Sequence, residues 1–268
     1  MRLAGLFAAG VMSLSPVAGA GAPRVVSLDQ CADQYVLALS PHNAIAGLSK
    51  RARNVDSYLR ATAAGLPRRR ATSEAILAAD PAVVVRYWGG DARLTADLER
   101  RGVHVVTLED STDFGGVRRN VRMVAAALAE GEVGEALIGR MDRTLAADAG
   151  VWRGAPALYL TSGGYTAGSD TLIGAMLSAA GLRNLGWRSG FHEVPLEELV
   201  LQPPSAIVRG FFDAFSMAYQ QWSLGRQPVV GGLARGRTVV SLPAAILGCP
   251  AWFAADGVSR IAMARQHG

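Results

Sequence analysis

The chain of 268 residues is 50% hydrophobic and 18% charged, which excludes global disorder and leaves apolar side chain for one large core or two smaller ones. Two cysteines exclude a disulfide-rich scaffold and a four-cysteine zinc site. The formal charge of +5 comes from 26 arginines and one lysine, Lys50, set against 22 acids; the basic residues are dispersed and form no basic-aromatic motif, so nucleic acid is not an expected partner.

Residues 1–20 read MRLAGLFAAGVMSLSPVAGA. Arg2 supplies a short positive start, Leu3 to Leu14 is uncharged and apolar, and Ala18-Gly19-Ala20 has the small-x-small form of a cleavage site. This is the pattern of a secretory signal cut near Ala20. The apolar run is shorter than the roughly 20 residues a membrane-spanning helix needs, and no cysteine follows it to carry a lipid. The expected product is exported to the periplasm, where disulfides are permitted.

Arg24 to Leu28 then reads as a strand, and Asp29 caps a helix whose apolar face is Ala32, Tyr35, Val36 and Leu39. Ala44 to Leu48 is a second strand. Lys50 to Arg70 is Arg-rich and weakly patterned, hence mostly loop. Ser73 and Glu74 open a short helix that stops at Asp80-Pro81. Val83-Val84-Val85 is a buried strand, Leu94 to Arg101 a helix, and Val103 to Leu108 a strand, with His104 inside it as a structural histidine. From Phe114 to about Ala149 only helical spacing is present: Val117, Val121, Val124, Ala125 and Leu128, then Leu137, Ile138, Met141 and Leu145, with Gly131 and Gly134 loosening the helix between. Alternation resumes with strand Ala157 to Leu160, helix Leu172 to Ala180 and strand Ala206 to Val208. This alternation predicts two α/β lobes with mainly parallel sheets, at 21–112 and 151–268, joined by a helical segment at 113–150.

An internal repeat supports the two lobes. Residues 74–85, EAILAADPAVVV, align without a gap to residues 197–208, EELVLQPPSAIV. Each copy reads acid, short apolar helix, proline, apolar strand, which places Glu74 and Glu197 at equivalent positions.

Catalytic signatures are missing. The chain has no glycine-rich phosphate loop, nucleophile elbow, HExxH or CxxC. His42, His104, His192 and His267 are scattered, and no metal-ligand set emerges. The expectation is a binding protein rather than an enzyme, with no cofactor of its own; a secreted enzyme on a two-lobed α/β scaffold is the alternative from a different class.

Several segments together resemble a known family. They are RVVSL at 24–28 followed by CADQ at 31–34; IAGLS at 45–49; EAILAADP at 74–81; YTAG at 165–168; TLI at 171–173; AGLRN at 180–184; VPLEEL at 194–199; and PSAIV at 204–208. In this order they are similar to the periplasmic substrate-binding proteins of bacterial ABC importers for vitamin B12 and iron complexes, siderophores and haem included. The resemblance implies two α/β lobes joined by a single long rigid helix, with a ligand cleft between them and little hinge motion. It implies a ferric siderophore or a corrinoid as cargo, with haem as the alternative, the metal belonging to the cargo. It also implies a permease and its ATPase as partners of a monomer. In the family an exposed acid on each lobe docks into arginine pockets of the permease, and Glu74 and Glu197 match that role.

With that geometry, the loops after strands supply the candidate contacts. Gln30 and Cys31 follow the first strand, where Asp29 reads as the helix cap. Arg51 follows the second, with Arg53 nearby. Arg86, Tyr87 and Trp88 follow the third, ahead of Gly89-Gly90. In the second lobe the candidates are Tyr165, then Arg209, Phe211 and Phe212 at the repeat-equivalent point, and Trp222 and Trp252, with Trp187 and Phe191 behind them. Aromatic faces grip flat ligands and arginine forks hold their carboxylates or phosphate. Of the 18 aromatics 12 lie after residue 150, so the second lobe is expected to supply more of the wall. Cys31 and Cys249 are left open between a disulfide, two free thiols, and Cys31 as a ligand contact; a bridge between lobes would restrain their motion.

Overall fold

A computed structural model describes residues 21–211, 213 and 236–266; the expected signal in residues 1–20, Phe212 and Trp222 lie outside them. Four short apolar strands, β1 (Val25–Ser27), β2 (Ile45–Gly47), β3 (Val83–Tyr87) and β4 (His104–Leu108), form a parallel sheet in the order β2-β1-β3-β4. In the second half, β5 (Pro156–Thr161), β6 (Tyr165–Ala167), β7 (Arg183–Asn184), β8 (Phe191–Glu193), β9 (Ala206–Gly210) and β10 (Thr238–Leu242) divide into a parallel sheet, β10-β9-β5-β7, and an antiparallel pair, β6 with β8. Runs such as Val83-Val84-Val85 are buried throughout because helices cover both faces of a parallel sheet.

The two sheets repeat one plan. Reversed, the second reads β7-β5-β9-β10 and matches β2-β1-β3-β4 strand for strand. Val25 sits beside Val83 in one, and Ala157 beside Ala206 in the other. The aligned residues Val83 and Ala206 therefore occupy the same rung, and the sequence repeat is a duplicated structural unit. Its short helices are α2 (Ser73–Leu77) and α7 (Leu196–Leu201), each opening with an exposed acid, Glu74 and Glu197.

Helix starts follow the side chains. Asp29 accepts from the backbone N–H of Cys31 and Ala32 and starts α1 (Gln30–Leu39); Asp91 does the same for α3 (Ala92–Arg100), and Thr171 for α6 (Leu172–Ala179). His104 is exposed on edge strand β4 rather than buried in it. Its neighbours Val103 and Val106 carry the burial.

The helical segment differs from the single helix that was expected. It is a hairpin of α4 (Phe114–Ala127) and α5 (Gly131–Ala147), broken at Ala129, whose φ of 57° is left-handed. Gly134 does not loosen a helix; it allows two helices to touch, since a Cβ there would lie 2.6 Å from that of Ala125. Arg122 of α4 pairs with Glu135 of α5 at 2.7 Å. The hairpin straddles two cores: Val121, Val124, Leu137 and Ile138 belong to the first, and Phe114, Val117 and Met141 to the second.

A second junction was not foreseen. After α8 (Ala244–Leu247), Cys249, Ala251 and Phe253 enter the first core, and α9 (Ala254–Gln266) returns to the second through Val258 and Ile261. Cys249 is disulfide-bonded to Cys31 with a Cα separation of 5.3 Å, which removes the free-thiol readings and a thiol contact from Cys31. Tyr35 Oη donates to the Pro250 carbonyl at 2.7 Å. The Tyr58 ring stacks on Phe253 at 4.2 Å, and its hydroxyl donates to Asp256. Residues 248–256 thus clasp the first lobe to the second. Among the described residues no helix is long and apolar enough to cross a membrane.

Candidate functional site

The carboxyl ends of the strands of both sheets face a common cleft, where open α/β sheets leave room for ligands. On the first lobe a cavity of about 360 Å³ is lined by Gln30, Cys31, Arg51, Arg86, Tyr87 and Trp88, together with Asp29, Asp56 and Gly248. Six candidates read from strand ends therefore meet in one place. A neighbouring cavity of about 380 Å³ is lined by Asp110, Asp170, Ile173, Phe191, Phe211, Leu247 and Cys249. Tyr87 and Gly248 line both, so the two are halves of one groove.

Asp29 organises the first half. One carboxylate oxygen caps α1, and the other accepts from the Tyr87 N–H at 2.7 Å. This ties the start of α1 to the end of β3 and sets the direction in which Tyr87 leaves the strand. The Tyr87 hydroxyl donates to Asp110. Burial, and then that hydrogen bond, push the phenol well above its usual range, so it stays a donor. Trp88 is 56% exposed and stands edge-on to Tyr87, with ring centroids 6.0 Å apart. Gly89 and Gly90 follow at φ 81° and 75°. Only glycine adopts these angles without strain, and the turn they make leaves the indole at the rim.

The cations are held differently. Arg86 donates to the Thr95 hydroxyl and to the Tyr87 carbonyl at 3.2 Å, which pins its guanidinium at the cavity wall. Arg51 is exposed and pairs with Asp56 at 3.4 Å; such a pair contributes roughly 0–1 kcal/mol, so Arg51 swings readily towards an anionic ligand. Gln30 is buried, and its amide N–H donates to the Asp56 carbonyl at 2.9 Å. Its Oε1 has no hydrogen-bond partner.

The second half is more apolar. Phe211 follows β9 with φ 61°, a conformation that strains a residue bearing a Cβ by roughly 1–3 kcal/mol. Phe211 lines the cavity together with Phe191, which is 60% exposed. Asp170 accepts from the Gly190 N–H at 2.9 Å and fixes the loop before Phe191.

Other candidates lie elsewhere. Tyr165 is exposed at the far end of the β6–β8 pair, opposite Glu193, and lines neither cavity. Arg209 sits within β9, short of the wall that Phe211 forms. Trp187 packs against a small core of Leu158, Leu160 and Ile207. Trp252 is the clear misplacement: it packs edge-on to Tyr35 at 5.4 Å and lines a separate cavity of about 430 Å³ with Tyr58, Leu137 and Arg140. Its aromatic surface is used between the lobes. Asp110, Asp170, Ile173 and Leu247 were missed. The strand-end rule applied to β4 would have found Asp110, two residues past Leu108.

No cluster of His, Cys, Asp and Glu suited to a metal ion occurs among the described residues. His192 lies on β8 rather than in a loop, and both its ring nitrogens are buried without hydrogen-bond partners.

The model of the family described as periplasmic binding protein matches residues 25–244, the stretch that carries both sheets and the helical hairpin. The chain belongs to the periplasmic binding protein family. Among curated relatives, a cobalamin-binding protein of Halobacterium salinarum (strain R1) is 27% identical over 205 residues, which is 70% of this chain and 53% of that protein. This periplasmic binding protein thus spans about half the length of the curated relatives it matches. Among solved structures, the periplasmic heme-binding protein RhuT from Roseiflexus sp. RS-1 superposes with a TM-score of 0.70 at 21% identity, covering 91% of this chain and 98% of that one. The periplasmic vitamin B12-binding protein BtuF of Vibrio cholerae gives a TM-score of 0.60 at 18% identity, covering 91% and 96%. At such identities the likeness shows the two-lobed fold.

Proposed function

We propose that the chain is the periplasmic cargo-binding component of an ABC importer, and that its cleft captures a metal-carrying chelate, a ferric siderophore or a corrinoid. The observation that carries the reading is the groove itself. Tyr87, Trp88, Phe191 and Phe211 supply aromatic faces from both lobes, while Arg51 and Arg86 stand at one end. A flat complex with an anionic group matches both features. The cobalamin-binding relative and the family point the same way, and the signal pattern in residues 1–20 suits export. The cargo brings its own metal. The chain's part in this reading is to bind and release it.

Haem is the second reading. Haem is itself a flat macrocycle bearing carboxylates, so the aromatic faces of the groove together with Arg51 and Arg86 suit it as well. Release to a permease would follow docking through Glu74 and Glu197, exposed at equivalent places on the two lobes.

The test is a tryptophan-fluorescence titration of the mature protein with cyanocobalamin, haemin and a panel of ferric siderophores. These chromophores quench nearby indoles, and Trp88 is placed to report. Saturable quenching by one of them, lost in Trp88→Phe with binding retained by calorimetry, supports the reading and names the cargo. Binding of none of them overturns it.

A further inference from the structure

We propose that the Cys31–Cys249 disulfide sets the width of the cargo cleft, holding its two walls as a preformed slot rather than only stapling the fold. The inference rests on reading that cleft as the cargo site. Its ground is where the bond runs. Cys31 lines the first-lobe cavity, one residue from Gln30 and two from the Asp29 carboxylate that anchors Tyr87. Cys249 lines the neighbouring cavity, which residues of both lobes enclose, beside Gly248, which with Tyr87 lines both cavities. The bond therefore crosses the floor at the seam between the halves.

Among the described residues, packing and hydrogen bonds along the clasp and the α4–α5 hairpin also join the lobes. The hairpin alone would let the walls open by twisting about its axis. A covalent link at the floor, 218 residues away in sequence, removes that freedom. Tyr35 reinforces it one helical turn further along α1, through its bond to the Pro250 carbonyl. Both points fix the first turns of α1, and with them Gln30 and the route to Tyr87, against the second lobe. A binding site held in its competent geometry avoids an ordering loss when cargo enters. If the unlinked protein held that geometry a tenth of the time, its affinity would fall tenfold.

The experiment compares the wild-type protein with Cys31→Ser/Cys249→Ser. Spin labels are carried on a non-cysteine handle at Val55 of the first lobe and Met263 of the second, which are 75% and 49% exposed. The expected result is an interlobe distance distribution at least twofold broader in the double variant, with about tenfold weaker binding of cyanocobalamin or haemin, while thermal unfolding stays cooperative. A purely structural staple would lower the melting temperature and leave width and affinity unchanged; that result overturns the proposal. If the double variant does not fold, wild-type protein reduced with a phosphine below its melting temperature is read by the same labels. Broadening then supports the proposal, and an unchanged distribution or unfolding on reduction overturns it. If wild-type protein binds none of the chelates, the cargo reading fails, and the distance measurement still decides the role of the link.

Discussion

Asp33 is fully buried, one turn into α1, beneath the residue that caps that helix. It accepts a hydrogen bond from the Ser27 hydroxyl at the end of β1, and two from Ser49 just past β2, from its N–H at 2.8 Å and its hydroxyl at 2.6 Å. Burial and three donors pull in opposite directions. Burial disfavours the carboxylate and the donors favour it. Burial wins: the carboxyl is raised from 3.8 to about 6, with the donors opposing and the nearby Asp29 adding slightly. A folded value above the unfolded one means that the neutral acid is the form folding prefers. The associated stability is fully present below about pH 4, fades as pH rises to about 6 and is gone above it. A shift of about two units corresponds to about 3 kcal/mol.

Asp33→Asn isolates this effect, because the amide keeps the shape and does not titrate. Urea unfolding of both proteins from pH 4 to pH 7.5 gives the wild-type stability minus that of the variant. That difference should fall by about 2–3 kcal/mol across the range and level off above pH 6.5. Carbon NMR of the Asp33 carboxyl should show the same midpoint near 6. A flat difference would mean that the group does not shift. A difference that rises with pH would mean that the three donors outweigh burial, and the reasoning would be wrong in sign.

The remaining predictions address the cleft and the docking face. Phe211→Gly should be more stable than Phe211→Ala by about 1 kcal/mol, because only glycine takes φ 61° freely, while both weaken cargo binding by a similar factor in the fluorescence titration. Gly210→Ala should destabilise by roughly 1–3 kcal/mol in thermal melts, since its Cβ would lie 2.3 Å from Tyr159 Oη and 2.7 Å from Leu247 Cδ1. Tyr159→Phe should relieve only part of that clash, since Tyr159 Cε2 at 2.8 Å and Leu247 Cδ1 remain in the way, and should be neutral or stabilising by itself, because the buried hydroxyl has no hydrogen-bond partner. Glu74→Arg with Glu197→Arg should abolish uptake in cells and leave the cargo dissociation constant unchanged; a loss of binding would remove these acids from the docking role.

The elements that were legible in the sequence share one physical trait. Val25-Val26 and Val83–Val85 are continuous apolar runs because both faces of their sheets are covered, and Asp29 and Thr171 announce helix starts by the side chains that backbone N–H groups need. What was not legible lacked such a signal. β7 has two residues and β6 and β8 three each, too short for any period. Thr238–Leu242 alternates exposed and buried as an edge strand does and so carries no uninterrupted apolar run. The hairpin break at Ala129 lies in a residue whose type favours helix; tertiary packing through Gly134, rather than local preference, fixes it.

The candidate site divides along the same line. In the first lobe the strand-end rule brings residues together, because β1, β2 and β3 deliver Gln30, Arg51 and Trp88 to one cavity by topology alone, whereas Tyr165 and Arg209, chosen by the same rule in the second lobe, line neither cavity. Residues chosen by aromatic type were not reliably placed. An aromatic side chain suits a ligand wall and a lobe junction equally well, since both reward burial of a large flat surface. Trp252 fills the junction because Cys249–Phe253 crosses between the cores, and that crossing is invisible without the disulfide partner. The pairing changes what the cleft can do. A cleft spanned by one helical hairpin could gain affinity by closing over its cargo, whereas one with a covalent floor must gain it from complementarity already present. On the proposed reading, the strained backbone of Phe211 and the double use of the Asp29 carboxylate are the features that would hold that complementarity before cargo arrives.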